Sequence, residues 1–281
     1  MRRTGERVGG IGSACCGAGP GTVLVASSGS GRGGGDGVST TEPVRPGPAQ
    51  WGALILFAGA SGAVDVLAFI ALGRVFAGVM TGNLVLLGLS LTGTGDEGGP
   101  AAPLLALGGY VVGVAVVAPF VRRRPEEPET HWPRAVVRWL AVEVIVLAAV
   151  TVAWGAAGGA PAQPWLDVVL VAVAVAMGMQ SAALAGAGAA GGPGTYFTGT
   201  LTQVVVRAVG TGGARRADLG SLARLVALTA GASVGALVYA ASAPWAMAVP
   251  LLWASAALAC AALSPRPDRS SPTAPTTGDT S

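Results

Sequence analysis

Long apolar stretches fill most of the chain between residues 51 and 263, and they restrict it to one kind of fold. A helix needs about 20 apolar residues to cross the hydrocarbon core of a bilayer, because each residue adds only about 1.5 Å to its length. The stretches that meet this length are 51–73, 102–121, 134–154, 165–185, 222–241 and 244–263. The sequence therefore predicts an all-α transmembrane protein, a polytopic helical bundle of about six crossings.

The composition also favours a membrane protein. Of the 281 residues 52% are hydrophobic and only 11% are charged, whereas roughly one quarter of the residues of a soluble domain are charged. All 17 basic residues are arginine, and most of those outside the N-terminal tail stand in short clusters beside the apolar stretches. Basic clusters in this position set the orientation of a protein in the bilayer. We therefore expect the lipid bilayer as a partner and no nucleic acid.

Two shorter apolar segments, 75–91 and 196–209, decide the predicted topology. Polar tripeptides interrupt them, namely Thr81-Gly82-Asn83 and Thr198-Gly199-Thr200. If both segments crossed the membrane, the arginine clusters at 122–124 and 215–216 would lie on opposite sides, against the positive-inside rule. We therefore expect each segment to re-enter the membrane or to form one broken crossing with its neighbour. The protein is then predicted to lie in the cell membrane, with both termini in the cytoplasm.

The apolar region is predicted to be one transmembrane domain, residues 51–263, between two polar tails. Residues 1–50 are rich in glycine, serine and proline, and residues 264–281 are rich in serine, threonine and proline. Such segments bury too little apolar surface to fold, so both tails are predicted to be disordered.

The transmembrane domain carries signs of an internal duplication. Met80-Thr81-Gly82-Asn83-Leu84 aligns with Phe197-Thr198-Gly199-Thr200-Leu201, and the Gly109/Gly113 pair corresponds to Gly231/Gly235. Each glycine pair forms a small-residue face on which helices approach closely. The two repeats, about 51–156 and about 165–263, each contain three long stretches, so the second would enter the membrane from the opposite side. Inverted repeats with interrupted helices at matching positions are a recurrent plan of secondary transporters.

Asp65 is the first candidate for a functional residue, because it lies well inside an apolar stretch. An ionised carboxylate there costs about 2.5–3.5 kcal/mol on insertion scales unless water or a partner is present. It could bind a proton or cation, or it could be protonated or pair with Arg74 or Arg207 and hold helices together. Gln180 and its neighbour Ser181 occupy the comparable region of the second repeat, so the charge is not duplicated.

The polar tripeptides are candidates for lining a site. Their glycines would free backbone carbonyls from the helix, and irregular backbone at that depth is tolerated where it is buried or lines a cavity. The alternative is close packing of a kinked helix. Glu143, by contrast, is expected to reach the membrane interface or to pair with Arg138, since charges near helix ends commonly do so.

Four groups of residues carry a resemblance to a known family. They are the small residues before Asp65, then Met80-Thr81-Gly82-Asn83, Gly178-Met179-Gln180-Ser181 and Thr198-Gly199-Thr200-Leu201. With them the chain resembles the YoaK family of bacterial integral membrane proteins, catalogued as domain of unknown function 1275, over residues 51–263. The resemblance implies a bacterial multi-pass membrane protein, and it supplies neither an activity nor a substrate.

The leading hypothesis is a transporter or channel for a small solute or ion. Its pathway would include Asp65, Thr81, Gly82, Asn83, Gln180, Thr198, Gly199 and Thr200. The alternative is a non-transporting membrane scaffold or assembly partner, in which the glycine faces matter more. An enzyme is not expected, because no nucleophile, base and orienting group can be assembled around the single histidine, His131. No metal or cofactor is expected either, since no cluster of histidine, cysteine and carboxylate occurs.

Overall fold

In the computed structural model the described residues are 48–93, 99–121, 132–187, 197–209 and 215–263. Within them the chain forms α-helices and one short 3₁₀ turn, Ala243–Trp245, and no strand. The helices are α1 Pro48–Ala71, α2 Met80–Leu91, α3 Ala101–Val121, α4 Arg134–Ala156, α5 Trp165–Gly186, α6 Phe197–Val209, α7 Arg215–Ala241 and α8 Ala248–Ala262. The predicted C-terminal tail and all but the last three residues of the predicted N-terminal tail lie outside the described residues.

The predicted all-α polytopic bundle is confirmed. Six helical segments of the described chain are long and apolar enough to cross a membrane: Ala49–Ala71, Ala101–Val121, Arg134–Ala156, Trp165–Gly186, Leu219–Ala241 and Ala243–Ala262. They correspond one by one to the six predicted stretches. Helix α2, with 12 residues, is apolar but only about 18 Å long, and it is too short to cross.

Helices α1 and α7 pack against each other and run in the same direction. The residue numbers of the contacting pairs rise together along both helices: Trp51 contacts Gly220, Gly59 contacts Gly231, and Ala63 contacts Gly235. Gly62 also lies against the backbone carbonyl of Leu228. Since several contacts are backbone to backbone, this pair is held at the short distance that small residues permit.

Helices α3 and α5 form a second pair of the same kind. Gly109 lies against Val171 and Ala174, and farther along both helices Gly186 lies against Val121. Gly113 lies against the backbone carbonyl of Val175. This pair is therefore also parallel and also rests on glycine contacts.

Helix α4 runs antiparallel to α8, and side-chain hydrogen bonds join the end of one to the start of the other. The Thr151 hydroxyl donates to the Met247 carbonyl at 2.9 Å, and Trp154 Nε1 donates to the Ala243 carbonyl at 2.7 Å. Helix α7 ends at Ala241, immediately before this point. We call this side of the bundle the Trp154 end, and the opposite side, where α4 begins, the Trp132 end.

These directions determine the path of the two short helices. Helices α1, α4 and α7 end at the Trp154 end, while α3, α5 and α8 begin there. Helix α2 connects the end of α1 to the start of α3, and Gly73 indeed lies against Ala102, so α2 starts and finishes at the Trp154 end. By the same reasoning α6 starts and finishes at the Trp132 end. Neither short helix carries the chain across the bundle.

Two details differ from the predictions. Residues 215–221, which lie outside the predicted stretch 222–241, form the first part of α7, because their alanine, leucine and arginine residues are strong helix formers. The Thr81-Gly82-Asn83 and Thr198-Gly199-Thr200 tripeptides do not interrupt helices. They lie in the first turns of α2 and α6, and before α2 the irregular backbone is the stretch 72–79.

Candidate functional site

The irregular segment 72–79 between α1 and α2 is held by the side chain of Asp65. The backbone N–H of Gly78 donates to Asp65 Oδ1 at 2.7 Å, and the N–H groups of Ala77 and Val79 interact with the same carboxylate. These three groups directly precede α2, so a negative charge here also faces the positive end of that helix. The carboxylate, which is only 8% exposed, thus has backbone N–H groups of this segment as partners.

Asn83 holds the same segment from the other side. Its Oδ1 accepts the N–H of Phe76 at 2.9 Å, and its Nδ2 donates to the Phe76 carbonyl at 2.6 Å. The Asn83 side chain is completely buried. The side-chain amide of Asn83 therefore satisfies both the backbone N–H and the backbone carbonyl of Phe76, as the backbone of a neighbouring strand does in a β-sheet.

Gly82 and Phe76 explain why the signature around Asn83 contains a glycine. A Cβ on Gly82 would come within 3.0 Å of the Phe76 ring, which stacks on Phe69 with ring centroids 5.4 Å apart. The guanidinium of Arg74 lies 5.6 Å from the centre of the Phe69 ring. The segment is thus packed by aromatic side chains and hydrogen-bonded by Asp65 and Asn83.

A second polar contact lies where α1 and α5 cross in the interior. Gln180 Nε2 donates to the Ser61 hydroxyl at 2.9 Å, and both side chains are buried. Ser61 and Asp65 are four residues apart on α1 and therefore lie on one face of the helix. We use the name polar row for Gln180, Ser61, Asp65 and Asn83, which lead from the α1–α5 crossing to the loop at the Trp154 end.

The predicted site residues are only partly brought together. Asp65, Gly82 and Asn83 lie around the segment 72–79, and Gln180 reaches α1 one turn away from Asp65. Thr81 is exposed on the surface of α2. The second tripeptide lies on α6 at the Trp132 end, where Thr198 and Gly199 are exposed and Thr200 is half-buried. The two tripeptides are thus attached to opposite ends of the bundle.

Comparison with known proteins decides the family. A family described as "Protein of unknown function (DUF1275)" matches residues 53–263. The chain belongs to this family. The UPF0700 transmembrane protein YoaK of Bacillus subtilis (strain 168) is 39% identical over 87 residues, which are 31% of this chain and 37% of that protein. The chain therefore aligns with little more than a third of this relative's length, and no solved structure matches it.

In this member of the DUF1275 family the motifs that carried the resemblance have separate structural roles. The Asp65 and Asn83 motifs hold the segment 72–79. The motif containing Gly178 and Gln180 lies where α5 meets both α3 and α1, since Gly178 contacts the Tyr110 backbone. The glycines singled out from the sequence, Gly109, Gly113, Gly231 and Gly235, are all buried at helix contacts.

Sequence reasoning misjudged one residue of this DUF1275 chain, Glu143. It was expected to reach the interface or to pair with Arg138, but its side chain is completely buried. Both carboxylate oxygens lack a hydrogen-bond partner among the described residues. The error arose from taking the nearby arginines as the reference, although Glu143 is nine residues from Arg134 and thirteen from Ala156, the two ends of α4. That count could have identified it as a group in the middle of the membrane.

Among the described residues of this family member, no group of three or more histidine, cysteine, aspartate or glutamate side chains could hold a metal ion. Apart from Arg224 on α7, the buried polar side chains of the described residues are oxygen and amide groups on α1, α2, α4 and α5. Such groups can bind a proton, a small polar solute or a weakly held cation.

Proposed function

We propose that this protein is a transporter of a small solute or ion, built from two inverted repeats of about 51–156 and about 165–263. The helices α1–α4 and α5–α8 follow the same order, in which a long helix precedes a short one and two further long helices. Corresponding members run in opposite directions, as α1 and α5 do. Packing supports the same relation, because the first helix of each half packs on the third helix of the other. This arrangement is a common plan of secondary transporters.

The observation that carries the proposal is the polar row. Its four side chains are almost completely buried in a bundle whose core is otherwise mostly apolar. Polar and ionisable groups inside a membrane are costly, and they mark solute or ion pathways in many membrane proteins. The polar row leads from the α1–α5 crossing to the Trp154 end of the bundle. This course is expected of a solute pathway in its closed state.

The segment 72–79 is the proposed gate of this pathway. It is irregular backbone, and it is held by two side chains, Asp65 and Asn83. A proton or cation on Asp65 would weaken its attraction for the three backbone N–H groups and so favour release of the segment. Binding of an ion could in this way be coupled to opening.

The proposed orientation has the Trp132 end in the cytoplasm of the cell. The sequences beside this end contain the arginine clusters 122–124 and 215–216, and positive residues favour the cytoplasmic side. Both termini are then cytoplasmic, and the gate faces the opposite side of the membrane.

The test uses purified full-length protein in liposomes. Vesicles are incubated with a panel of amino acids, sugars, organic acids and monovalent cations under an imposed ion gradient, and retained compounds are identified by mass spectrometry. We expect the wild type to accumulate at least one class and Asp65→Asn to insert normally but lose gradient-driven accumulation. Unchanged accumulation by Asp65→Asn would remove the coupling role of Asp65.

A non-transporting scaffold is the second proposal, and one observation favours it. The side chains of Asp65 and Asn83 form hydrogen bonds with the backbone of the segment 72–79, as expected for residues with a purely structural role. In that case no panel compound is retained above the level of empty liposomes, and Asp65→Asn changes only thermal stability.

A further inference from the structure

The carboxyl group of Glu143 is a completely buried polar group that the polar row does not include. It projects from the face of α4 that also carries Leu140 and Leu147, both buried. Its exposure is 0%, and neither oxygen has a hydrogen-bond partner among the described residues. An ionised carboxylate without a partner in such a place costs several kcal/mol, on the order of a typical domain's whole stability. A neutral carboxylic acid avoids this cost, so burial of the group favours its protonated form.

Two further unpartnered atoms lie at about the same depth. Glu143 is thirteen residues before the end of α4, and Gln180 is fifteen residues after the start of α5. Because α4 and α5 are antiparallel and joined by a short turn, both lie about 20 Å from the Trp154 end. There Gln180 Oε1 and Ser181 Oγ, like the Glu143 oxygens, have no partner within the described part of the chain.

The chemistry of these atoms selects the proton as the ligand. A neutral carboxyl group has one O–H donor, and the free amide oxygen of Gln180 is an acceptor that needs one. An ionised carboxylate is an acceptor only and could not supply a donor to any of these oxygens. A hard cation such as Ca²⁺ takes six to eight oxygen ligands, which one carboxylate and two further oxygens do not provide.

Other titratable side chains on the helices around α4 lie mainly elsewhere. Among the described residues Asp167 is in the first turn of α5, and Cys260 is near the end of α8. Tyr110 on α3 is at the depth of Gly178, and the 3₁₀ turn carries no titratable group. On α4 itself Arg138 is five residues nearer the Trp132 end. No other carboxylate thus shares the level of Glu143 on these elements.

We infer that Glu143 binds and releases the proton of a proton-coupled transport cycle, an inference that rests on the proposed transport function. In the closed state the carboxyl O–H would be held at the level of Gln180 and Ser181. When the bundle opens and water reaches this level, the O–H bond breaks, the proton passes to water and the carboxylate remains. Rebinding of a proton from the other side restores the neutral acid.

Infrared spectroscopy of the full-length protein in lipid bilayers tests this without knowledge of a solute. At neutral pH we expect the carbonyl band of a protonated carboxylic acid, lost in Glu143→Gln and kept in the control Asp167→Asn. Raising the pH should remove the band reversibly while the helical amide bands persist. A missing band, a band that survives Glu143→Gln, or a band that stays at every pH at which the protein is folded would overturn the inference.

The liposome panel separates this inference from the proposed function. If Glu143→Gln still accumulates solute under a proton gradient as the wild type does, the transporter stands and the role of Glu143 falls. If the infrared titration succeeds but no compound is transported, Glu143 binds a proton and the coupling to transport is refuted together with the transporter. Glutamine has nearly the shape of the neutral acid, so Glu143→Gln is expected to fold.

Discussion

The amide of Asn83 makes a prediction that concerns stability alone. Replacing Asn83 by Asp keeps the acceptor for the Phe76 N–H but removes the Nδ2 donor that lies 2.6 Å from the Phe76 carbonyl. An acceptor then faces an acceptor in a buried place, and we expect a loss of about 1–3 kcal/mol. The thermal unfolding midpoint in detergent should fall accordingly.

Ser90 on the same helix is a suitable control. Its hydroxyl donates to the carbonyl of Leu86, one turn earlier in α2. Ser90→Ala leaves that carbonyl in its helical bond, so the midpoint should stay close to that of the wild type. Equal losses for both variants would mean that α2 as a whole is sensitive and that the Phe76 contact has no special role.

Individual side chains were predictable from the sequence as polar groups in apolar surroundings, but their partners were not. Asp65 and Asn83 were recognised by this contrast alone. Their partners are backbone N–H and C=O groups of the segment 72–79, and no side-chain type identifies a backbone partner in advance. Glu143 was misjudged for a related reason, since its depth depends on where α4 begins and ends.

Helix α3 offers a matched pair of glycines for testing the close contacts between helices. Gly113 lies against the carbonyl of Val175, whereas nothing lies within 4 Å of a Cβ on Gly108. Backbone cannot move aside as a side chain can, so Gly113→Ala should push α3 from α5 and cost about 1–3 kcal/mol. Gly108→Ala should be neutral or stabilising by about 0.5–1 kcal/mol, because alanine favours the helix.

Unfolding of both variants in mixed detergent micelles, followed by circular dichroism, measures the difference. A Gly113→Ala protein as stable as Gly108→Ala would mean that α3 and α5 can separate at little cost. It would also mean that the short distance between these two helices does not depend on the glycine contacts.

The long helices were predictable because length and hydrophobicity together determine which segments can cross a bilayer. The short ones were not, since α2 begins five residues later than its apolar segment and its polar tripeptide is helical. The start of α7 was also missed. The helix begins in an arginine-bearing stretch, and hydropathy reports burial in lipid, whereas helix formation also depends on the intrinsic helix propensity of each residue. The pairing of α1 with α7 could not be predicted from the sequence, because several helices carry glycines and any two of them could have packed together.

The course of the chain through the bundle predicts which positions share a side of the membrane. Arg74 and Thr92 flank α2, and Ala157 follows α4; all three are exposed and lie at the Trp154 end. Single cysteines there, in a protein lacking Cys15, Cys16 and Cys260, should react with an impermeant thiol reagent from outside intact cells.

A cysteine at Leu263, exposed at the other end, should react only after the cells are permeabilised. Opposite behaviour of Arg74 and Thr92 would mean that α2 crosses the membrane, which would exclude the six-helix path. Uniform labelling of the Trp154 end from inside would instead reverse the proposed orientation.

The pairing of α1 with α7 has a consequence for the synthesis of the protein. During translation α1 enters the membrane long before α7 has left the ribosome, and its glycine-lined face, with Gly59 and Gly62, must meanwhile contact lipid or an insertion factor. The surface of α1 that α7 later covers must also stay free of other helices until α7, the second-last helix, has been synthesised. A nascent chain that stalls after α4 would therefore present an unfinished surface to the quality-control proteases of the membrane.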